Sequence, residues 1–96
     1  MTPEGKVKSA IKKYLDSLAP NCWYFMPIMM GYGRKGIPDI VGCYKGKFFA
    51  IEVKAPGAES HTTPWQDTEL LGIRMSSGTA LVCSSAEAVH AVFKYT

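Results

Sequence analysis

Asp39, Glu52 and Lys54 are the residues whose types and spacing point to chemistry. They interrupt "GIPDIVGCYKGKFFAIEVK", residues 36–54, which otherwise reads as two short apolar strands around a Lys45-Gly46 turn. Side chains alternate faces along a strand, so Asp39, Val41 and Cys43 share one face, as do Phe48, Ala50, Glu52 and Lys54. A two-residue hairpin loop at Lys45-Gly46 sets Tyr44 across from Lys47 and therefore Asp39 across from Glu52. A four-residue loop from Tyr44 to Lys47 keeps this register, whereas a three-residue loop breaks it. Like charges directly opposed on a sheet destabilise it. Two such carboxylates need a shared proton or a cation between them. An all-oxygen donor set favours magnesium or manganese over zinc, and Mg²⁺ is commonly held by one or two carboxylates plus phosphate oxygens. Lys54, on the same face as Glu52, is placed to orient or deprotonate an attacking water, or to neutralise charge developing on a pentacovalent phosphate. Taken singly, Pro-Asp often just opens a turn and Glu-x-Lys often marks a solvated strand edge. The register that brings them together inside apolar strands is the specific signal.

Pro38-Asp39 followed by Glu52-Val53-Lys54 resembles the PD-(D/E)xK nuclease signature. The fuller pattern adds Glu4 in the first helix, Gly36 before Pro38-Asp39, and Gln66 opening the next helix, and it resembles a stand-alone VRR-NUC domain of the kind found in phages and bacteria. The resemblance covers nearly the whole chain, element order included. It implies a restriction-endonuclease-like core and a Mg²⁺- or Mn²⁺-dependent endodeoxyribonuclease without an organic cofactor. It further implies action on branched DNA as a Holliday junction resolvase, in the cytoplasm of a bacterial or phage-infected cell. The same resemblance implies Asp39 and Glu52 as metal ligands, the Val53 carbonyl as a third, and Lys54, Glu4 and Gln66 as catalytic partners. Two symmetric incisions suit a homodimer, because a two-fold pair supplies two equivalent sites. Two alternatives stand beside this reading: a flap, single-strand or other structure-specific nuclease, and, in a different class, a catalytically silent DNA-binding protein.

The elements that must hold these residues follow from periodicity. Val7, Ile11, Tyr14, Leu15 and Leu18 give a helix over 3–18. An aromatic-rich strand spans 22–28, a glycine-rich loop 31–36, and the hairpin strands 38–44 and 47–54. A second helix runs from Thr63 to about Ser76, a further strand starts at Thr79, and Ser85 caps a last helix. The order α-β-β-β-α-β-α predicts an α/β domain with a mixed central sheet flanked by helices. Glu4 continues the apolar stripe of Val7 and Ile11; as a first-turn acid it also suits the helix dipole. Gln66 equally fits N3 of a capping box with Thr63 as N-cap and Pro64 at N1.

Ninety-six residues, 47% apolar and 20% charged, fit one globular domain over 1–96. No apolar run approaches the ~20 residues of a membrane span, and no secretory leader is evident. Cys22, Cys43 and Cys83 lack paired spacing and are expected as small core residues in a reducing compartment. Trp23 and Trp65 are expected in the core or at a dimer interface. The net charge of +3 is unevenly spread. Lys6, Lys8, Lys12 and Lys13 on the first helix and Arg34-Lys35 in the glycine loop suit a DNA backbone, with Ser60, His61 and Thr62 as further contacts. His61 and His90 have no ligand spacing.

Overall fold

A computed structural model of the chain describes residues 1–28 and 33–96. The elements are α1 (Pro3–Ser17), β1 (Cys22–Phe25), β2 (Ile40–Tyr44), β3 (Lys47–Val53), α2 (Pro64–Met75), β4 (Thr79–Cys83) and α3 (Ala86–Phe93), in the predicted order. The strands form one sheet, β1-β2-β3-β4, antiparallel through β3 and parallel between β3 and β4, with α2 as the crossover. The Gly31 end of the glycine-rich loop lies outside the described residues.

The helix periodicity resolves as expected. Val7, Ile11 and Leu15 are buried on α1 and join Ile40, Phe49, Ile51, Val53, Leu81, Val89 and Phe93 in one core. That core lies between one sheet face and the pair α1 and α3, while α2 packs on the other face over β3 and β4. β3 is consequently covered on both sides, and every residue from Phe49 to Val53 is buried. Central strands of this kind read as continuous apolar runs. Glu52 is the exception within it.

The hairpin register is the predicted one. Tyr44 pairs with Lys47 and Ile40 with Ile51. Lys45 at φ 51° and Gly46 at φ 82° both take positive φ, which a two-residue hairpin loop matched to strand twist requires. Two boundaries are shorter than periodicity suggests. β1 stops at Phe25, two residues before Pro27, which has no N–H to give a ladder. β2 begins at Ile40 rather than Pro38 because Asp39 bonds to β3 through its side chain.

The cysteine expectation needs correction, and of the two places expected for the tryptophans the core is excluded. Cys83 is buried, but Cys22 is only half-buried and Cys43 is exposed. Cys43 sits opposite Trp23 on the half of the sheet that α2 does not cover. There Trp23 is 65% and Phe25 48% exposed, and Phe48 at the start of β3 is 47% exposed, so Trp23 is not a core residue. Trp65 is likewise on the surface, with the Lys35 ammonium 4.7 Å from its ring centroid.

Gly42, paired with Tyr24 of β1, has no room for a side chain. A Cβ there would lie 2.2 Å from the Trp23 carbonyl oxygen and 2.8 Å from the Phe49 ring. Gly42→Ala should therefore separate β1 from β2 and destabilise the fold by about 1–3 kcal/mol. Urea unfolding followed by circular dichroism checks this, with a lowered midpoint as the expected outcome.

Candidate active site

Asp39 lies one residue beyond the last β2–β3 pair, Ile40 with Ile51, and so faces Glu52 across the end of the hairpin. One oxygen of Asp39, Oδ2, accepts the Val53 N–H at 2.8 Å, which fixes the carboxylate in place. Glu52 is 4% exposed, enclosed by its own strand, β4 and the start of α2. The Lys54 ammonium is 3.8 Å from Glu52 Oε2, and its side chain is only 13% accessible. The backbone N–H of Lys54 donates to the Cys83 carbonyl, tying the end of β3 to the end of β4.

Gln66 completes the predicted capping box and also contacts Lys54 and Glu52. Its Oε1 accepts from the Thr63 backbone N–H at 2.9 Å, and its own N–H donates to Thr63 Oγ1 at 3.1 Å, completing the capping box. The same Oε1 is 3.3 Å from Lys54 Nζ, and Nε2 donates to Glu52 Oε2 at 3.1 Å. The side chain thus bridges acid and lysine while initiating α2. Gly36 makes room for that helix start. Its φ is +79°, and a Cβ would fall 2.3 Å from the Trp65 carbonyl carbon and 2.5 Å from the Gln66 nitrogen. Only a residue without a side chain permits this contact.

The remaining predicted residues fall into distinct places. Glu4 is exposed rather than buried with Val7, yet its charge is felt at Glu52. Lys8, one turn along α1 from Glu4, sits 3.7 Å from Asp39 Oδ1. This pairing was hidden in a lysine-rich segment, and the Glu4-to-Lys8 spacing of four residues was its only sequence signal. Lys6, Lys12 and Lys13 are exposed on α1. Arg34 forms a two-pronged ion pair with Glu69 of α2 at 2.8 and 3.0 Å, so its guanidinium anchors the loop to the helix. Thr62 Oγ1 donates to Asp67 Oδ1 at 2.6 Å, and Ser60 is exposed. His90 Nδ1 lies 3.1 Å from the Tyr14 hydroxyl, away from the carboxylates. A concavity of about 940 Å³ opens at the other end of the hairpin, where Lys45, Lys47 and Phe48 meet Ile73 and Ser77. Glu69 is its one acid and is already paired with Arg34. Concavity does not mark the chemistry here.

Electrostatics single out the opposed pair. Burial pushes the Glu52 carboxyl up to about 8 from its ordinary 4.5, and the Asp39 charge pushes in the same direction; Lys54 opposes the shift and Glu4 adds slightly to it. Two close carboxylates that resist joint ionisation are a site for a proton or a cation. Among the described residues no cluster of three or more His, Cys, Asp and Glu side chains is placed to hold a metal. A metal bound here would draw on two carboxylates and backbone or water oxygens, a donor set that fits a hard divalent ion.

The sequence matches no family model and no curated protein. The structure, by contrast, is similar to a solved structure described as a VRR_NUC domain. The two agree with a TM-score of 0.73 over 98% of this chain and 97% of that one, at 24% sequence identity. The chain has the fold of a VRR_NUC domain. Within that fold, Asp39 and Glu52 stand at the end of the hairpin, and Gln66 reaches Glu52 from the following helix.

The raised Glu52 carboxyl has a consequence for stability. Its pKa lies above the unfolded value, so its contribution is complete below about pH 4.5 and is lost as pH rises toward 8. Thermal melts of the protein in EDTA should show wild type losing stability between pH 5 and 8.5. Glu52→Gln, neutral throughout, should lose less, with a difference on the order of 5 °C at the alkaline end.

Proposed function

We propose that this chain is a divalent-metal-dependent DNA endonuclease of the PD-(D/E)xK type. Its preferred substrate is a four-way junction, which it resolves as a homodimer. The observation that carries the reading is the opposition of Asp39 and Glu52, with Lys54 against Glu52, in a domain with the VRR_NUC fold.

Asp39 Oδ1, a Glu52 oxygen and the Val53 carbonyl would hold Mg²⁺ or Mn²⁺. Such an ion acidifies a water and polarises the phosphoryl oxygen it contacts. The residues of the chain do the rest. The Val53 N–H holds Asp39 Oδ2, so Oδ1, with only the Lys8 ammonium near it, is the oxygen offered to an ion. Gln66 orients Glu52 and Lys54 together, and the Lys54 ammonium donates to the phosphate as negative charge builds on it. Glu4, at the rim, accepts from water in the site. Lys6, Lys12, Lys13 and Lys35 lie along the DNA backbone, so affinity falls steeply with salt.

Two features support the dimer and the junction. Resolution needs two symmetric cuts, which a two-fold pair delivers. Trp23 and Phe25 on β1 and Phe48 at the start of β3 are exposed, an apolar surface suited to a second copy.

A labelled synthetic four-way junction, incubated with Mn²⁺, tests the reading. Paired symmetric nicks are expected, abolished by EDTA. Asp39→Ala should slow them about 100-fold or more, as several kcal/mol of transition-state stabilisation disappear. Preferential cutting of flaps or linear duplex would replace the junction with another substrate. Junction, flap and linear duplex all left intact under every divalent metal would exclude nuclease function.

A further inference from the structure

The PD-(D/E)xK pattern supplies one lysine, Lys54, beside Glu52. The structure places a second lysine beside Asp39. Lys8 Nζ is 3.7 Å from Asp39 Oδ1, the oxygen left free because Oδ2 is committed to the Val53 N–H. Each carboxylate of the pair therefore has its own ammonium, at 3.7 Å and 3.8 Å.

Lys8 differs from its neighbours on α1. Lys6, Lys12 and Lys13 are exposed, whereas the Lys8 side chain is 30% accessible and leans over the sheet end. Its separation from Asp39 exceeds hydrogen-bond length, so the contact is a charge attraction that a better partner can replace. Lys8 also borders a shallow groove of about 520 Å³ whose lining includes Ser9, Lys12, Lys13, Met26 and one acid, Asp16, which accepts from the Tyr24 hydroxyl. Lys8 and Lys12, one helical turn or about 6 Å apart, make one edge of that groove basic.

We infer that Lys8 is a second active-site lysine that contacts the phosphate undergoing cleavage, and that the groove along α1 carries the flanking nucleotides of that strand. This rests on the nuclease reading above. Without substrate, Lys8 neutralises Asp39 Oδ1. When a divalent ion takes that oxygen, the ammonium is repelled from it and turns to a non-bridging oxygen of the incoming phosphodiester. Charge balance favours the exchange. Asp39, Glu52 and Glu4 carry three negative charges when ionised, against two from Lys8 and Lys54, so a divalent ion makes the site net positive toward one phosphate.

The role has opposite effects on two measurable quantities. Lys8→Met keeps the length of the side chain and removes the charge. Titration calorimetry without DNA should show Mn²⁺ binding about 3–10-fold tighter in Lys8→Met, because a competing cation beside Oδ1 is gone. Single-turnover junction cleavage at saturating Mn²⁺ should nevertheless fall about 100-fold, with partial recovery in Lys8→Arg. Junction binding in EDTA should lose about one unit of salt slope. Lys12→Met, in contrast, should reduce the salt slope and leave Mn²⁺ affinity at the wild-type value. A Lys8→Met protein that melts as wild type, with Mn²⁺ affinity and cleavage rate both unchanged or both lowered, overturns the assignment. A wild type that binds no Mn²⁺ and cuts nothing overturns the nuclease reading itself, a distinguishable result.

Discussion

The burial of Glu52 beside Asp39 is the constraint around which this small domain is arranged. A carboxyl group buried near the end of a doubly covered strand destabilises the sheet unless something compensates for it. The compensation comes from several directions. Gln66 donates from α2, Lys54 approaches from just past the end of β3, and Lys8 neutralises the partner acid from α1. The three groups come from three different elements, so the fold has to be complete before the pair is tolerable.

Much of this was legible in the sequence because it depends on local rules. The Lys45-Gly46 turn dictates register, and register dictates which residues oppose; the observed pairing of Tyr44 with Lys47 follows directly. The capping box at Thr63 to Gln66 is equally local. The parts that were not legible depend on which elements cover which face. Cys43 and Trp23 lie on strands whose composition suggests a core, yet α2 spans only the β3 and β4 half of its sheet face. Glu4 precedes the buried stripe of α1 that starts at Val7; it is exposed, yet its charge bears on Glu52.

The lysines illustrate the same limit. In sequence, Lys6, Lys8, Lys12 and Lys13 form one basic cluster without internal distinction. Folding sorts them, because a helix turns 100° per residue and only Lys8 shares the face of Glu4 toward the sheet end. Arg34 and Lys35 are sorted similarly, one to Glu69 and the other to the Trp65 ring. A charge run read as a single surface is here at least three separate devices.

The double engagement of Gln66 joins helix initiation to the reacting groups. One amide oxygen receives both the Thr63 N–H that starts α2 and the Lys54 ammonium. Fraying of the first turn of α2 therefore loosens one contact to Lys54 and strips one donor from Glu52 in the same event, leaving the Lys54–Glu52 ion pair as the link between the two side chains. The order of these side chains is thus tied to a backbone feature, the start of a helix.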